Sequence, residues 1–264
     1  MGGDCFQMSR FFVSGDSVDP GNNIITISGE DVRHIRNVLR CAPGEVLQLS
    51  DGSGTGYEAA IGTIGRDSIT TNIIRSWPNK TEPPLDITLF QGVPKGDKME
   101  FIIQKCVEAG VSRIVPVITD RTVVKFANSG DSAAKAVRWN RIALESAKQC
   151  DRGKIPKVEE PVRFDEALRL AECCSLKLFP YEEERSGNIR KYLSRQKQLC
   201  EAGNKANVAV FIGPEGGFAP SEAQKAAENG FRTVTLGPRI LRTETAGIMV
   251  ISVIMYELGG MTPG

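Results

Sequence analysis

Two glycine-bearing turns organise this sequence: Val208-Ala-Val-Phe-Ile-Gly-Pro-Glu-Gly-Gly217 and Val234-Thr-Leu-Gly-Pro-Arg-Ile-Leu-Arg-Thr-Glu-Thr-Ala246. The uncharged run that opens the first stretch predicts a buried strand, which the Gly-Pro-Glu-Gly-Gly turn then ends. A helix signal follows each turn. Strands that alternate with helices in this way indicate an α/β fold with a mostly parallel sheet.

The two helix signals differ in kind. Ser221 and Gln224 have the spacing of a capping box, and Asn229-Gly230 is a stop signal for the helix that they open. After the second turn no charged residue occurs from Ala246 to Tyr256, so we expect this helix to be buried. The run is too short to cross a bilayer, which takes about 20 apolar residues.

The two turns also predict a ligand site, because ligands of open α/β sheets lie beyond the carboxyl ends of the strands. No Lys-Ser or Lys-Thr pair follows the glycines, and the first turn lacks the spacing of the dinucleotide fingerprint. Glu215 in the first turn would repel a phosphate. S-adenosylmethionine fits better, because it has hydroxyls, an amine and a sulfonium but no phosphate. The alternative is a pair of tight βα turns that bind nothing.

Composition excludes several classes of protein. The chain has 264 residues, 41% of them hydrophobic, which is enough for one or two domains with real cores. Seven cysteines without paired spacing predict a reduced, intracellular protein with no disulfide framework and no zinc site, and we expect no signal peptide. With His34 as the only histidine, most metal and catalytic-triad chemistry is excluded. A net charge of +1 means that any nucleic-acid contact must come from local patches.

The polar, proline-rich stretch Trp77–Pro84 predicts a domain boundary. Before it, short strand patterns and one early helix, with Ser28 and Asp31 as a capping box, indicate a small β-barrel. Met1–Gln7 looks like an extension. We therefore expect a barrel in residues 1–77, a linker in 78–84, and an α/β domain in 85–264.

Basic residues occur in both parts of the chain, and on the residues alone plain solvation is an alternative for each group. Residues 1–77 have six arginines and no lysine against nine acidic residues, so a solvated arginine face on the early helix is an open alternative. Pro94-Lys-Gly-Asp-Lys98 follows the first strand of the α/β domain, and two lysines in such a loop are usually just solvated. Leu178-Phe-Pro-Tyr181 should form a wall of the ligand pocket, with core packing as the alternative for Phe179.

The paired turns carry a family resemblance. Ile212-Gly-Pro-Glu-Gly-Gly-Phe218, followed by Leu236-Gly-Pro-Arg-Ile-Leu-Arg-Thr-Glu-Thr-Ala246, resembles the signature of the RsmE family. These SPOUT-class methyltransferases use S-adenosylmethionine to methylate N3 of a uridine in 16S ribosomal RNA. The resemblance extends from Ser9 onward. It implies a PUA-like RNA-binding barrel, a knotted parallel sheet covered by helices, and a homodimer packed through the C-terminal helix.

The resemblance also implies roles for individual residues. Catalytic candidates are Arg242, Arg152 and Glu244, with Arg239 as a further cation near the site. The segment with Gln149 and Arg152 departs from the family pattern, since Cys150 replaces a serine and Lys148 a usual glutamate. Expected cofactor contacts are Leu178, Pro180, Tyr181, Ile212, Gly213, Gly216, Gly217, Leu236, Gly237, Ile240, Leu241, Arg242, Thr245 and Ala246. Expected RNA contacts are Arg10, His34, Arg36, Arg40, Lys95, Lys98 and Arg121.

Two other functions remain open on the sequence. A non-catalytic RNA-binding or ribosome-associated module could retain the same fold, although both cofactor turns are intact here. A nucleotide-dependent oxidoreductase would need a phosphate-binding glycine turn. Under the methyltransferase interpretation the partner is ribosomal RNA or the small ribosomal subunit, with no membrane and no metal. The expected location is the cytoplasm, or an organellar matrix in a eukaryote.

Overall fold

The computed structural model describes residues 10–201 and 205–261. The chain forms two compact units. The first comprises the residues up to Glu82 together with Ala147–Ile155, and the second comprises Pro83–Ser146 and the residues from Pro156 onward. The division between Glu82 and Pro83 falls inside the expected linker. The expected extension, Met1–Gln7, lies outside the described residues.

The first unit is built on a curled six-stranded sheet. Its strand order is β1-β4-β5-β6-β3-β2, and only the β1–β4 pair is parallel. Register shifts at Glu58/Ala59 and Ile61/Thr63 lie between its two longest strands, and such bulges bend a sheet. The strands are β1 (Arg10–Phe12), β2 (Val18–Asp19), β3 (Ile24–Ser28), β4 (Val46–Ser50), β5 (Thr55–Ile64) and β6 (Ser68–Pro78).

The early helix of the first unit differs from the sequence expectation. Helix α1 (Glu30–Arg33) continues as one π-helical turn, His34–Val38. The predicted Ser28/Asp31 capping box is wrong, because Ser28 ends strand β3 and the N-cap is Gly29, with a φ of 77°. Only glycine adopts that angle without strain, so the chain turns there from strand to helix. Val32 and Ile35 of this helix pack into the core of the sheet with Ile25, Ile27, Leu49 and Ile69, whereas Val38 is 67% exposed.

The second unit contains a seven-stranded parallel sheet in its described residues. Its order is β10-β8-β7-β12-β11-β13, and β9 also pairs with β8. This confirms the expected α/β class with a parallel sheet. The strands are β7 (Asp86–Gly92), β8 (Arg113–Ile118), β9 (Lys157–Val158), β10 (Val162–Arg163), β11 (Leu176–Pro180), β12 (Asn207–Ile212) and β13 (Arg232–Val234).

Both faces of this sheet are buried, as a parallel sheet requires. Neighbouring residues of a strand point to opposite faces. Leu89 faces the C-terminal helix near Gly247. Phe90 lies on the other face, where its ring stacks on that of Phe211 with 4.5 Å between the centroids, and both rings pack in one core cluster with Phe164. The helices are α2 (Lys98–Glu108), α3 (Ser129–Gln149), α4 (Phe164–Leu170), α5 (Ile189–Glu201), α6 (Pro220–Glu228) and α7 (Thr243–Glu257).

Two helix predictions need correction. The Ser221/Gln224 capping box is wrong, because α6 begins at Pro220 and the side chain of Glu222 accepts a hydrogen bond from the N-cap N–H of Ala219. Proline is favoured in the first helical position, so the helix begins at Pro220, before the residue that the predicted capping box would place outside it. Helix α7 is buried on one side only, since Tyr256 is 76% exposed. No helix of the described residues is long and apolar enough to cross a membrane.

Candidate active site

The carboxyl ends of four parallel strands meet at one edge of the second unit's sheet. A cavity of about 510 Å³ lies beyond this edge. The segment after β11, the two glycine turns after β12 and β13, and one lysine of α2 form its walls. The lining residues are Lys98, Pro180–Glu182, Arg185, Ile212–Phe218, Thr235–Glu244 and Ala246.

Two glycines of the first turn, Gly213 and Gly217, and the neighbouring Gly92 have no room for a side chain. A Cβ atom on Gly213 would come within 2.9 Å of the Gly217 carbonyl carbon, and one on Gly92 at the end of β7 would come within 2.5 Å of Pro214. Gly217 has a φ of 66°, and a Cβ there would overlap the carboxylate of Glu182. The turn therefore needs glycine for close backbone approach and for its angles. The glycines Gly213, Gly216 and Gly217 are not buried, and all three line the cavity.

Charged side chains hold this turn from outside. Arg121 donates to the carbonyl oxygen of Gly216 at 2.7 Å and lies 3.9 Å from Glu182. Glu215 accepts from the ammonium of Lys98 at 2.7 Å and from the N–H of Lys95 at 3.1 Å. Burial alone would raise the pKa of Glu215, but these hydrogen bonds outweigh it and leave the pKa below its ordinary value. The carboxylate is therefore charged at neutral pH.

Glu222 ties helix α6 to the loop after β8. One carboxylate oxygen accepts from the N–H of Asp120 at 3.0 Å, and the other accepts from the N–H of Ala219 at 2.9 Å. The side chain is buried, and this burial raises the pKa of the carboxyl despite the two hydrogen bonds. Because Arg121 follows Asp120 directly, this tie also fixes the arginine that holds Gly216.

The second glycine turn joins β13 to α7. Gly237 has a φ of 108°, and Arg242 is the N-cap residue of α7, with its carbonyl oxygen accepting from the N–H of Thr245 at 2.9 Å. The side chain of Arg242 is exposed beside the cavity. Glu244 also lines the cavity, and its Oε2 is buried without a hydrogen-bond partner. A buried oxygen of this kind is available to a donor on a ligand.

The wall between the two turns is stabilised by Glu184. Its carboxylate accepts hydrogen bonds from the N–H groups of Ser186 and Gly187 and from the hydroxyl of Thr233. The backbone N–H of Ser186 is the largest cause, followed by the Thr233 hydroxyl, and together these bonds lower the pKa of Glu184 to about 2. This loop positions Arg185 in the cavity lining.

The cavity brings together most of the expected cofactor contacts. All of them line it except Leu178, which is fully buried inside β11, and Thr245, which is exposed on the first turn of α7. The catalytic candidates Arg242 and Glu244 also line it. Glu182 and Arg185 also enter the lining, from the loop after β11, and no sequence pattern indicated them. Roles in binding and catalysis stay predictions for all of these residues.

Arg152 belongs to the first unit. Its guanidinium donates to both oxygens of Glu82, at 2.7 Å from Nη2 and 3.3 Å from Nε, and its side chain is almost fully buried. Glu82 also accepts from the N–H groups of Gly153 and Lys154. The same segment is held by Arg10, which donates to the carbonyl oxygen of Asp151 at 2.8 Å and whose side chain is 9% exposed. Both arginines therefore stabilise the first unit, whatever their part in RNA binding or catalysis.

The other RNA candidates are more accessible. His34 and Arg40 are exposed, and Arg36 is half-buried and donates to the carbonyl oxygens of Gly65 and Arg66. In the second unit Lys95 and Arg121 are exposed, but Arg121 and Lys98 already hold the first glycine turn. Direct RNA contact by these residues stays a prediction.

Comparison with known proteins adds independent findings. Residues 81–255 match the RNA methyltransferase domain family, and residues 27–74 match the RNA methyltransferase PUA domain family. The chain is 36% identical to the ribosomal RNA small subunit methyltransferase E of Mesomycoplasma hyopneumoniae, over 93% of this chain and 98% of the relative. It is 32% identical to the protein of that name from Bacillus subtilis, over 88% and 90%.

Solved structures agree with these matches. A methyltransferase of Legionella pneumophila, in complex with the bound cofactor SAM, is 33% identical and superposes with a TM-score of 0.81, covering 94% of this chain and 97% of that one. A ribosomal RNA small subunit methyltransferase E of Neisseria gonorrhoeae, bound to S-adenosyl methionine, is also 33% identical, with a TM-score of 0.78 and the same coverage. The parallel sheet with its two glycine turns agrees with both domain matches and with relatives of this similarity. The chain therefore belongs to the ribosomal RNA small subunit methyltransferase E family of RNA methyltransferases.

Proposed function

We propose that this protein transfers a methyl group from S-adenosylmethionine to N3 of a uridine in small-subunit ribosomal RNA. The cavity at the carboxyl edge of the parallel sheet is the observation that carries the proposal, because two glycine turns at the ends of parallel strands form it. Membership of the family supports RNA methylation, and the two S-adenosylmethionine-bound relatives support the cofactor.

The residues of the cavity fit this cofactor. A volume of about 510 Å³ is within the usual range of roughly 300–1,000 Å³ for small-molecule sites. Ile212, Leu236 and Leu241 offer apolar surface for a purine, and the turns offer backbone donors and acceptors for ring nitrogens and hydroxyls. Glu182 and Glu244 place carboxylates in the lining, where they can attract the amine and the sulfonium of the cofactor. Basic side chains line the same cavity, namely Lys98, Arg185, Arg239 and Arg242.

The bound cofactor would supply an electrophilic methyl group, and the chain must place and activate the uracil. Uracil N3–H is a weak acid, and as its proton leaves, negative charge spreads onto the ring oxygens. Arg242 and Arg239 are the cations of the second turn that line the cavity, and a guanidinium can bind such oxygens with two donors. Preorganised donors of this kind are the usual way in which enzymes stabilise developing charge.

Glu244 is a catalytic candidate with one carboxylate oxygen that has no hydrogen-bond partner in the protein. Its buried Oε2 can accept a hydrogen bond from an arginine of the turn or from the ligand itself. In either case Glu244 helps to orient groups inside the cavity. We propose this orienting role for Glu244, while a catalytic role for Arg152 stays a prediction.

RNA docking and assembly complete the proposal. The π-helical turn of the first unit exposes His34 and Arg40 beside Val38 and Leu39, a mixture of basic and apolar groups that suits RNA. The partly exposed face of α7, with Tyr256 at its end, supports a homodimer packed through that helix. We propose in addition the knotted topology and the cytoplasmic location that such bacterial relatives would have.

Cofactor titration tests the proposed function. Isothermal titration calorimetry should give saturable, one-to-one binding of S-adenosylmethionine per chain, and no heat with NAD or ATP. The same protein preparation should transfer the labelled methyl group from S-adenosylmethionine to small ribosomal subunits. Binding of NAD or ATP in place of S-adenosylmethionine would contradict the proposal, and binding without any transfer would favour a non-catalytic RNA-binding protein.

A further inference from the structure

Two buried polar side chains connect the elements that form the cavity. Gln91, the penultimate residue of β7, is fully buried, and Thr243, the first residue of α7, is 6% exposed. The Nε2 of Gln91 lies 2.9 Å from the Oγ1 of Thr243, and that hydroxyl lies 2.6 Å from the carbonyl oxygen of Gly213. A chain of hydrogen bonds therefore runs from the sheet, through the start of α7, to the first glycine turn.

The direction of each hydrogen bond is fixed by its neighbours. Gln91 Nε2 also lies 3.0 Å from the carbonyl oxygen of Gly92, which can only accept, so the amide nitrogen must occupy this position. The hydroxyl of Thr243 consequently accepts from Gln91. Since the carbonyl of Gly213 is another acceptor, the hydroxyl proton must point at Gly213.

This chain of bonds ties the two glycine turns together. Gly213 begins the first turn, and Thr243 comes directly after the last residue of the second turn, Arg242. Both Gly213 and Thr243 line the cavity, whereas Gln91 lies beneath it and has no exposed surface. Gln91 can therefore affect a ligand only through Thr243 or through the packing of its own strand.

Gln91 also costs folding free energy, because one of its polar atoms is buried without a hydrogen bond. Its Oε1 is buried without a hydrogen-bond partner, and a Cβ atom placed on Gly247 of α7 would lie 3.5 Å from this oxygen. A methionine of similar volume would fill the same space without an unsatisfied oxygen. A buried polar group retained at such a position suggests that its hydrogen bonds serve the site rather than the core.

We propose that Gln91 and Thr243 are positioning residues that set the spacing of the two glycine turns for the cofactor. This inference rests on the proposed binding of S-adenosylmethionine in the cavity. Gln91 orients the Thr243 hydroxyl, and the hydroxyl holds the Gly213 carbonyl, so that the backbone of both turns is in place before the cofactor enters. Preorganisation of this kind raises affinity by removing the cost of ordering on binding.

Calorimetric affinity for S-adenosylmethionine tests the inference with four variants of the full-length chain. Thr243→Val removes the donor to Gly213 at constant shape and should weaken binding about tenfold, which corresponds to about 1.4 kcal/mol. Thr243→Ser keeps the hydroxyl and should stay within about twofold of the parent. Gln91→Met should weaken binding about threefold to tenfold while the melting temperature of the apo protein is kept or raised.

The double variant Gln91→Met/Thr243→Val separates positioning from general destabilisation. Because Gln91 acts through Thr243, the double variant should bind no more weakly than Thr243→Val alone, whereas independent effects would multiply. All titrations are made well below the melting temperature of each variant; if Thr243→Val does not fold, Gln91→Met and Thr243→Ser decide.

Three results would overturn the inference: parent-like affinity in a folded Thr243→Val or Gln91→Met variant, a tenfold loss in Thr243→Ser, or multiplied losses in the double variant. A parent protein that binds no S-adenosylmethionine would overturn the proposed function as well. Parent binding with unchanged variants would overturn the positioning role alone.

Discussion

Gly217 provides a sharp test of the first glycine turn, since the structure assigns two separate costs to Gly217→Ala. The first is backbone strain: Gly217 has a φ of 66°, and an L-residue in the left-handed region costs about 1–2 kcal/mol. The second is the overlap of the new methyl group with the carboxylate of Glu182, which lines the cavity. The first cost lowers stability, and the second changes the cavity itself.

Gly230→Ala is the matched control. Gly230 has a φ of 82° and follows the end of α6, but nothing lies within 4 Å of the position that its Cβ would take. Both variants should therefore lose about 1–2 kcal/mol of unfolding free energy in urea titrations. Only Gly217→Ala should also weaken S-adenosylmethionine binding, by about fivefold, because loss of one backbone hydrogen bond is worth about 1 kcal/mol.

A second substitution identifies the cause of the weaker binding. If the Glu182 carboxylate is pushed into the cavity, Gly217→Ala/Glu182→Ala should recover part of the lost affinity relative to Glu182→Ala alone. If the backbone of the turn has moved, no recovery will follow. Calorimetry at a temperature where circular dichroism shows a folded protein makes the comparison. The reasoning about the turn is refuted if Gly217→Ala binds like the parent, or if Gly230→Ala loses as much affinity.

Three further predictions concern catalysis, acid stability and RNA. Arg242→Ala should keep most of the cofactor affinity but slow single-turnover methyl transfer by about 100- to 1,000-fold, whereas a near-normal rate would remove it from the mechanism. Glu184 has a pKa of about 2 in the folded chain against an ordinary 4.5, so its stabilisation is complete above pH 4.5 and is lost as the pH falls towards 2. Glu184→Gln should therefore flatten the fall of unfolding free energy between pH 5 and pH 3; an unchanged slope would contradict this. Arg40→Ala should weaken RNA binding at low salt without a change in Tm. Arg10→Ala should lower the Tm, because the guanidinium of Arg10 donates to the carbonyl oxygen of Asp151. A lower Tm for Arg40→Ala with an unchanged Tm for Arg10→Ala would contradict this division of roles.

Strands and turns were predictable where the signal is local. The uncharged run before Gly213 is strand β12, as its composition predicts. Both glycine turns lie at the carboxyl edge of the sheet because parallel strands bring their ends together. A pattern over five to ten residues is enough for such elements, since alternation and burial are set by near neighbours.

Contacts between distant residues were not predictable. Arg10 and Asp151 are 141 positions apart, and Gln91 and Thr243 are 152 positions apart. No single sequence indicates that such pairs meet, because register and packing decide it. The predicted capping boxes were wrong for a related reason: Gly29 and Pro220 fixed the helix starts through backbone angles that compete with the side-chain signal.

The central claim is that this protein methylates N3 of a uridine in small-subunit ribosomal RNA. The most direct measurement is mass mapping of nucleosides in small subunits from cells that lack the protein, before and after incubation with it and labelled S-adenosylmethionine. The proposed function predicts that 3-methyluridine is absent at first and then appears at one position, and that Arg242→Ala fails to restore it at the parent rate. A label on another base or another atom, or no label at all with folded protein and intact subunits, would contradict it.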